Sequence, residues 1–263
     1  MPSKNDSVVV DIAKVEKSTV KLYVVGTSPI ILNRLSEKVK RELLLPKGKK
    51  TKADKESTAK HNPVDEYQAS PYLIADEAAE TYLGFLTSAF KGAMRVAALD
   101  LPGSSKAQIG RLVYVEGDLV PLYGVPKLLM SITRSADINK TPDVRTRAIV
   151  PKWAAELTIS FVTPIMKLPA ILNLLSAAGI TSGVGDWRPE KGKGDYGQFR
   201  IANEDDPELI EIIATGGRAE QIAAMETPAT YDRETEELLS WYAQEAPRRG
   251  FKFDVPGRVL KLV

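Results

Sequence analysis

The order of periodic segments constrains this chain more than any single motif. Thr19–Thr27 (TVKLYVVGT) is rich in β-branched and aromatic residues and reads as a buried strand. Leu86–Leu99 sets Leu86, Ala89, Phe90, Ala93, Met94 and Ala97 on one helical stripe, with Lys91 and Arg95 one turn apart on another face. Lys127–Arg134 and Glu156–Val162 read as strands; in the second, Leu157, Ile159 and Phe161 alternate with Glu156, Thr158 and Ser160. Leu168–Ala178 is a second helix, with Ile171, Leu172 and Leu175 in its stripe and Gly179 expected as its C-cap. Gln198–Ala202 closes the series as a short strand. Strand, helix, strand, strand, helix, strand is the ferredoxin-like (RRM-like) βαββαβ plan of an α+β domain: a four-stranded antiparallel sheet backed by two helices.

The remaining segments read as additions to that plan. Residues 1–17 are expected as an N-terminal arm, with a short strand at Val8–Ile12. Asn33–Leu45 spaces Leu35, Val39 and Leu43 by four among basic residues, the pattern of an amphipathic helix. The basic insertion 46–70 opens with PKGKKTKADKESTAKH, where Lys47, Lys49, Lys50 and Lys52 sit among almost no apolar side chains. Such a stretch cannot build a core, so it is either a solvated insertion or a phosphate-seeking loop. Leu112–Val115 and Leu119–Leu122 suggest a small hairpin. The connection 135–153 is too long for a tight turn and is expected as a finger. After Asn203 the chain turns helical and acidic. Pro207–Ile213, Ala219–Met225 and Arg233–Glu245 are its helices, Trp241 and Tyr242 its packing anchors, and Phe251–Val263 a candidate returning strand. This extension, 203–263, is expected to pack on the core or on a neighbouring subunit.

Several chemistries fall away on composition. Cysteine is absent and His61 is the only histidine, which excludes disulfide scaffolds, thiol nucleophiles and histidine-rich metal sites. No cofactor and no metal site are expected. Net charge is only +2, so any polyanion site must be a local patch. No apolar run is long enough to span a bilayer and the first residues lack a signal-peptide pattern, so a soluble cytoplasmic protein without a membrane partner is expected.

The stretch Gly179–Phe199, GITSGVGDWRPEKGKGDYGQF, is the most informative motif. Gly183 and Gly185 let a backbone approach another backbone and expose N–H groups to an anion. Arg188, Lys191 and Lys193 neutralise phosphates, and Trp187 either stacks on a base or packs under the loop. GSSKAQIG lacks the Lys-Ser/Thr of a phosphate loop, and GVGDWR does not complete a dinucleotide fingerprint. The aromatic signature of an RNA-recognition motif is also missing.

With those residues in view, the βαββαβ order and the loop GVGDWRPEKGKGDYGQF resemble the RAMP superfamily, the repeat-associated mysterious proteins of CRISPR systems. FKGAMRVA at Phe90–Ala97 is similar to the helix after the first strand in the repeated backbone subunit of CRISPR effector complexes. The insertion after the first strand and the long middle connection are similar to that subunit's web and thumb. The resemblance covers roughly residues 18–202. It implies a non-catalytic subunit of an antiviral ribonucleoprotein, stacked head to tail with copies of itself and other effector subunits along a single-stranded guide RNA. It places Lys91 and Arg95 on phosphates, Gly183, Gly185, Arg188, Lys191 and Lys193 along the groove, and Arg134, Arg145 and Arg147 on the finger. Arg145 and Arg147 have a second reading as ion-pair partners of the acidic tail. Two alternatives stand beside this. One is a RAMP-type endoribonuclease using His61 as general base, or Asp54 or Asp65 to assist in-line attack. The other is a scaffold, or a phage or mobile-element protein coating another single strand, which leaves single-stranded DNA open.

Overall fold

The computed structural model describes residues 14–35, 37–44, 61–134, 142–192 and 194–251. The expected strand at Val8–Ile12, the lysines 47, 49, 50, 52 and 193, Asp54, and nearly all of the expected strand at Phe251–Val263 lie outside them.

The chain is mixed α+β and built on antiparallel sheets. Strand β1 (Glu16–Gly26) pairs with β9 (Ala154–Thr163) along ten residue pairs and with β10 (Phe199–Ala202) on its other side. On its far edge β9 takes β5 (Val113–Val115) and β6 (Leu119–Tyr123). β6 continues the sheet to β4 (Leu83–Leu86) and β3 (Tyr72–Leu73). β5 and β6 therefore do not form the expected hairpin. They are one interrupted strand along β9, whose register shifts at Glu116–Asp118.

Lys127–Arg134 corrects the sequence reading. It is a strand, β7, but it does not lie beside β9. It joins a second sheet in the order β2 (Ile30–Ile31), β8 (Pro142–Val150), β7. β8 occupies the middle of the segment expected as a finger. Its outer half is exposed at Pro142 and Arg145, while Thr146–Val150 are buried. Residues 135–141 at the hairpin tip lie outside the described residues.

One face of the larger sheet carries the core. Helix α3 (Thr87–Ala97) buries Phe90, Ala93, Met94 and Ala97, and helix α5 (Leu168–Ala177) buries Ile171, Leu174 and Leu175, against Val24, Leu157, Ile159 and Phe161. Aromatic rings run through the layer edge to face, Phe85 on Phe90 at 6.1 Å and Phe90 on Phe199 at 5.7 Å. Trp153 is fully buried beside them and donates its indole N–H to the Ser28 carbonyl. A Cβ at Gly26 would lie 2.1 Å from that indole nitrogen, so only glycine fits there. Gly179 is not a C-cap. It sits in a π-helical turn, Ala178–Ser182, where a Cβ would meet the Phe199 carbonyl at 2.0 Å.

Short helices complete the body. α1 (Glu37–Leu44) follows β2, with Leu43 and Leu44 75% and 81% exposed. α2 (Pro63–Ala69) buries Val64 and Tyr67, so the end of the basic insertion does pack. α4 (Lys106–Leu112) is capped by Ser105.

The segment after Asn203 is tied into the fold. α6 (Pro207–Thr215) lays Leu209 and Ile212 on Val25, Tyr123, Ala154 and Ala202 at one end of the second sheet face. α7 (Arg218–Glu226) buries Gln221 completely. Its side chain accepts from the N–H groups of Tyr82 and Leu83 and donates to the carbonyls of Leu122, Gly124 and Gly216. α8 (Arg233–Arg248) runs beside β7, where Thr235 Oγ1 accepts from the Met130 N–H. Tyr242 anchors α8 by donating to the His61 carbonyl, whereas Trp241 is 58% exposed.

Candidate nucleic-acid interface

The loop after α5 folds on itself before it can meet a ligand. The chain leaves the π-helical turn at Gly183 (φ 63°), whose N–H bonds the Ala178 carbonyl. Val184 N–H then bonds the Gly197 carbonyl, Gly197 N–H the Pro29 carbonyl, and Asp186 N–H the Ile31 carbonyl. Gly185 has φ 87°, and a Cβ there would lie 2.8 Å from the Ile31 oxygen. These glycines let the loop close and dock on β2. Several of the amides expected to face an anion are therefore spent inside the protein.

Trp187 resolves to the packed reading. It sits at φ 52°, half buried, on Ile31, Leu129 and Ile149, with its ring 6.1 Å from that of Tyr196. Arg147 is also structural. It is buried on β8 and pairs with Asp186 of the loop, not with the acidic tail, and burial pushes its guanidinium below the usual range. A buried arginine held by its own carboxylate is not available to a phosphate, which removes Arg147 from the expected groove.

Three of the expected residues do meet. Arg95, Gly185 and Arg188 line a single cleft of about 430 Å³ between α3 and the loop. Lys106, at the first turn of α4, adds a third cation. α3 presents Ala89, Gly92, Ala93 and Val96 to this cleft, positions spaced three and four apart as one helix face requires. Gly110 makes room for Arg95, whose Nε lies 3.2 Å from where a Cβ would stand.

The cleft holds carboxylates too. Glu190 receives Arg188 Nε at 2.7 Å and lies 3.7 Å from Lys191, and Arg188 also donates to the Gly185 carbonyl. The lining cations Arg95, Lys106 and Arg188 outnumber the lining carboxylates Asp186 and Glu190, although Arg188 shares its charge with Glu190 and Asp186 pairs with Arg147.

Lys91, Arg145 and Arg134 are not among the residues that line the cleft. Lys91 sits 4.4 Å above the Tyr114 ring, away from the cleft. Arg145 is exposed on β8, and Arg134 ends β7 opposite Pro142. The sheet face opposite α3 and α5 is neutralised by ion pairs, Lys17 with Glu116 and Lys21 with Glu156. Lys106 and Gly92 were not among the residues expected from sequence. Gly92 carried a signal, because a glycine in a helix centre is a poor choice for the helix itself.

His61 is not the solvated histidine of a loose loop. Its Nδ1 lies 2.8 Å from Glu66 and its Nε2 3.2 Å from Asp143, while the second Glu66 oxygen accepts from the Thr146 N–H. Both ring nitrogens are thus turned to carboxylates that join α2 to β8. Asp65 accepts instead from Asn62 at the start of α2. Among the described residues no His, Asp and Glu cluster can hold a metal ion, and no helix is long and apolar enough to cross a membrane.

Comparison with models of known protein families and with curated protein sequences gives no match.

Proposed function

We propose that this chain is a non-catalytic subunit that binds single-stranded nucleic acid in the cleft between α3 and the loop 183–198. By its resemblance the strand is a guide RNA, and the subunits stack head to tail with one another and with other effector components. One observation carries the reading. Cations from three separate segments, Arg95, Lys106 and Arg188, converge on one cleft beside the glycine-rich loop. The topology supports it. The hydrogen-bonded order β10–β1–β9–β5/β6, with α3 after β1 and α5 before β10, is the order a ferredoxin-like core takes. The second sheet and the helices after Asn203 are then additions to that core. Extended single strands suit a cation-lined groove because every nucleotide repeats the same charge.

Fluorescence anisotropy with labelled single-stranded RNA and DNA across a salt series tests this. Three phosphate contacts predict a log–log slope of affinity against salt of about −2. Absence of binding, or a flat response, removes the proposal in favour of a scaffold without a nucleic-acid ligand. Stronger binding of RNA than of DNA at every salt concentration supports the guide-RNA form.

A further inference from the structure

We infer that the cleft floor at Gly92 receives an unpaired nucleobase, so that the site takes a whole nucleotide unit and not only a phosphate chain. This rests on the proposed function of the same cleft. Gly92 is at the centre of α3, where glycine weakens the helix. Packing does not demand it, because a Cβ built there has no heavy atom within 4 Å. Of the other glycines near the cleft, Gly185 is forced by the Ile31 oxygen, 2.8 Å from where a Cβ would stand, and Gly110 meets the movable Arg95 side chain at 3.2 Å. Gly92 alone among these three faces open space, and that space is the cleft.

The cleft's chemistry fits a base in that space. A strand held only by its phosphates needs surface cations, not a depression of about 430 Å³. Here the floor is Ala89, Gly92, Ala93 and Val96, and Phe85 and Val184 add further apolar lining. Such a floor gains from covering the flat face of a heterocycle. Asn33 and Ser88 also line the cleft and supply the polar groups that a base edge requires, while Arg95, Lys106 and Arg188 take the phosphates on either side. A nucleotide is the ligand class that carries both halves of this pattern.

The test compares a single-stranded oligonucleotide with an abasic strand of equal length and charge, on the full chain and on Gly92→Leu, by anisotropy. Wild type is expected to prefer the base-bearing strand roughly tenfold. Gly92→Leu, filling the floor, is expected to lose that preference. Gly92→Ala serves as the folding control, with a melting temperature higher by roughly 2 °C. Equal binding of both strands by wild type, or a preference retained in Gly92→Leu, overturns the inference and leaves the phosphate-binding role intact. Failure of wild type to bind either strand overturns both together.

Discussion

Replacing Arg95, Lys106 and Arg188 together by glutamate is expected to abolish the proposed single-strand binding, with affinity reduced at least about a hundredfold at low salt. The three cations reach one cleft from α3, α4 and the loop after α5, so each reversal would take a cation away from the proposed phosphate path and put a repulsive charge at the same place. The salt dependence should flatten as well, since its slope counts the counterions that these side chains displace. The effect should be the same for every strand sequence, because backbone recognition reads no bases. Arg188 also bonds the Gly185 carbonyl, so the melting temperature is measured beside the binding to show that the loop still closes. Neutralising Lys17 and Lys21 to glutamine provides the contrast. Both sit on the opposite sheet face in ion pairs, and binding should be unchanged.

Gln221→Glu unfolds the protein more readily than its size suggests, with an expected stability loss of about 3–5 kcal/mol. The carboxamide is fully buried, with its oxygen on two backbone N–H groups and its nitrogen on three carbonyls. A carboxylate keeps the shape and the first pair of bonds. It also brings a buried negative charge against three carbonyl oxygens that no longer have a donor. Gln221→Leu should cost a similar amount, because it strands every one of those backbone groups. The midpoint of thermal unfolding should fall by roughly 10 °C in each case. A Gln221→Glu protein with wild-type stability at neutral pH would show that α7 is not held to the sheet by this side chain.

What was legible in the sequence followed from period and residue type. β1, β9, α3 and α5 carry dense apolar repeats, and each formed where the repeat placed it. β8 was unreadable because PDVRTRAIV mixes charge into a buried strand, and Arg147 is tolerated only through Asp186, 39 residues away. β5 and β6 resembled a hairpin because Gly117 and Asp118 look like a turn. Their pairing with β9 is decided by the sheet, not by the local residues. The integration of α7 rests on one glutamine, a residue type ordinarily found at surfaces.

The candidate site was half legible for the same reason. Charge and glycine content pointed to the loop and to α3, and Arg95, Gly185 and Arg188 do share a cleft. Composition could not separate a cation that lines the cleft from one that holds the fold together. It grouped Arg147 and Lys91 with the others, although one is buried in an ion pair and the other rests on Tyr114. Nor could it foresee that the loop's amides close the loop itself. In the proposed function, recognition then rests on side-chain cations more than on backbone N–H groups.

Amide hydrogen exchange on the full chain, with and without saturating single-stranded RNA, tests the central claim most directly. The account predicts added protection in α3, at the start of α4 and across residues 183–192, with β1 and β9 unchanged on their salt-bridged face. Protection confined to that sheet face or to the β7–β8 hairpin, with the cleft segments unaffected, would contradict it.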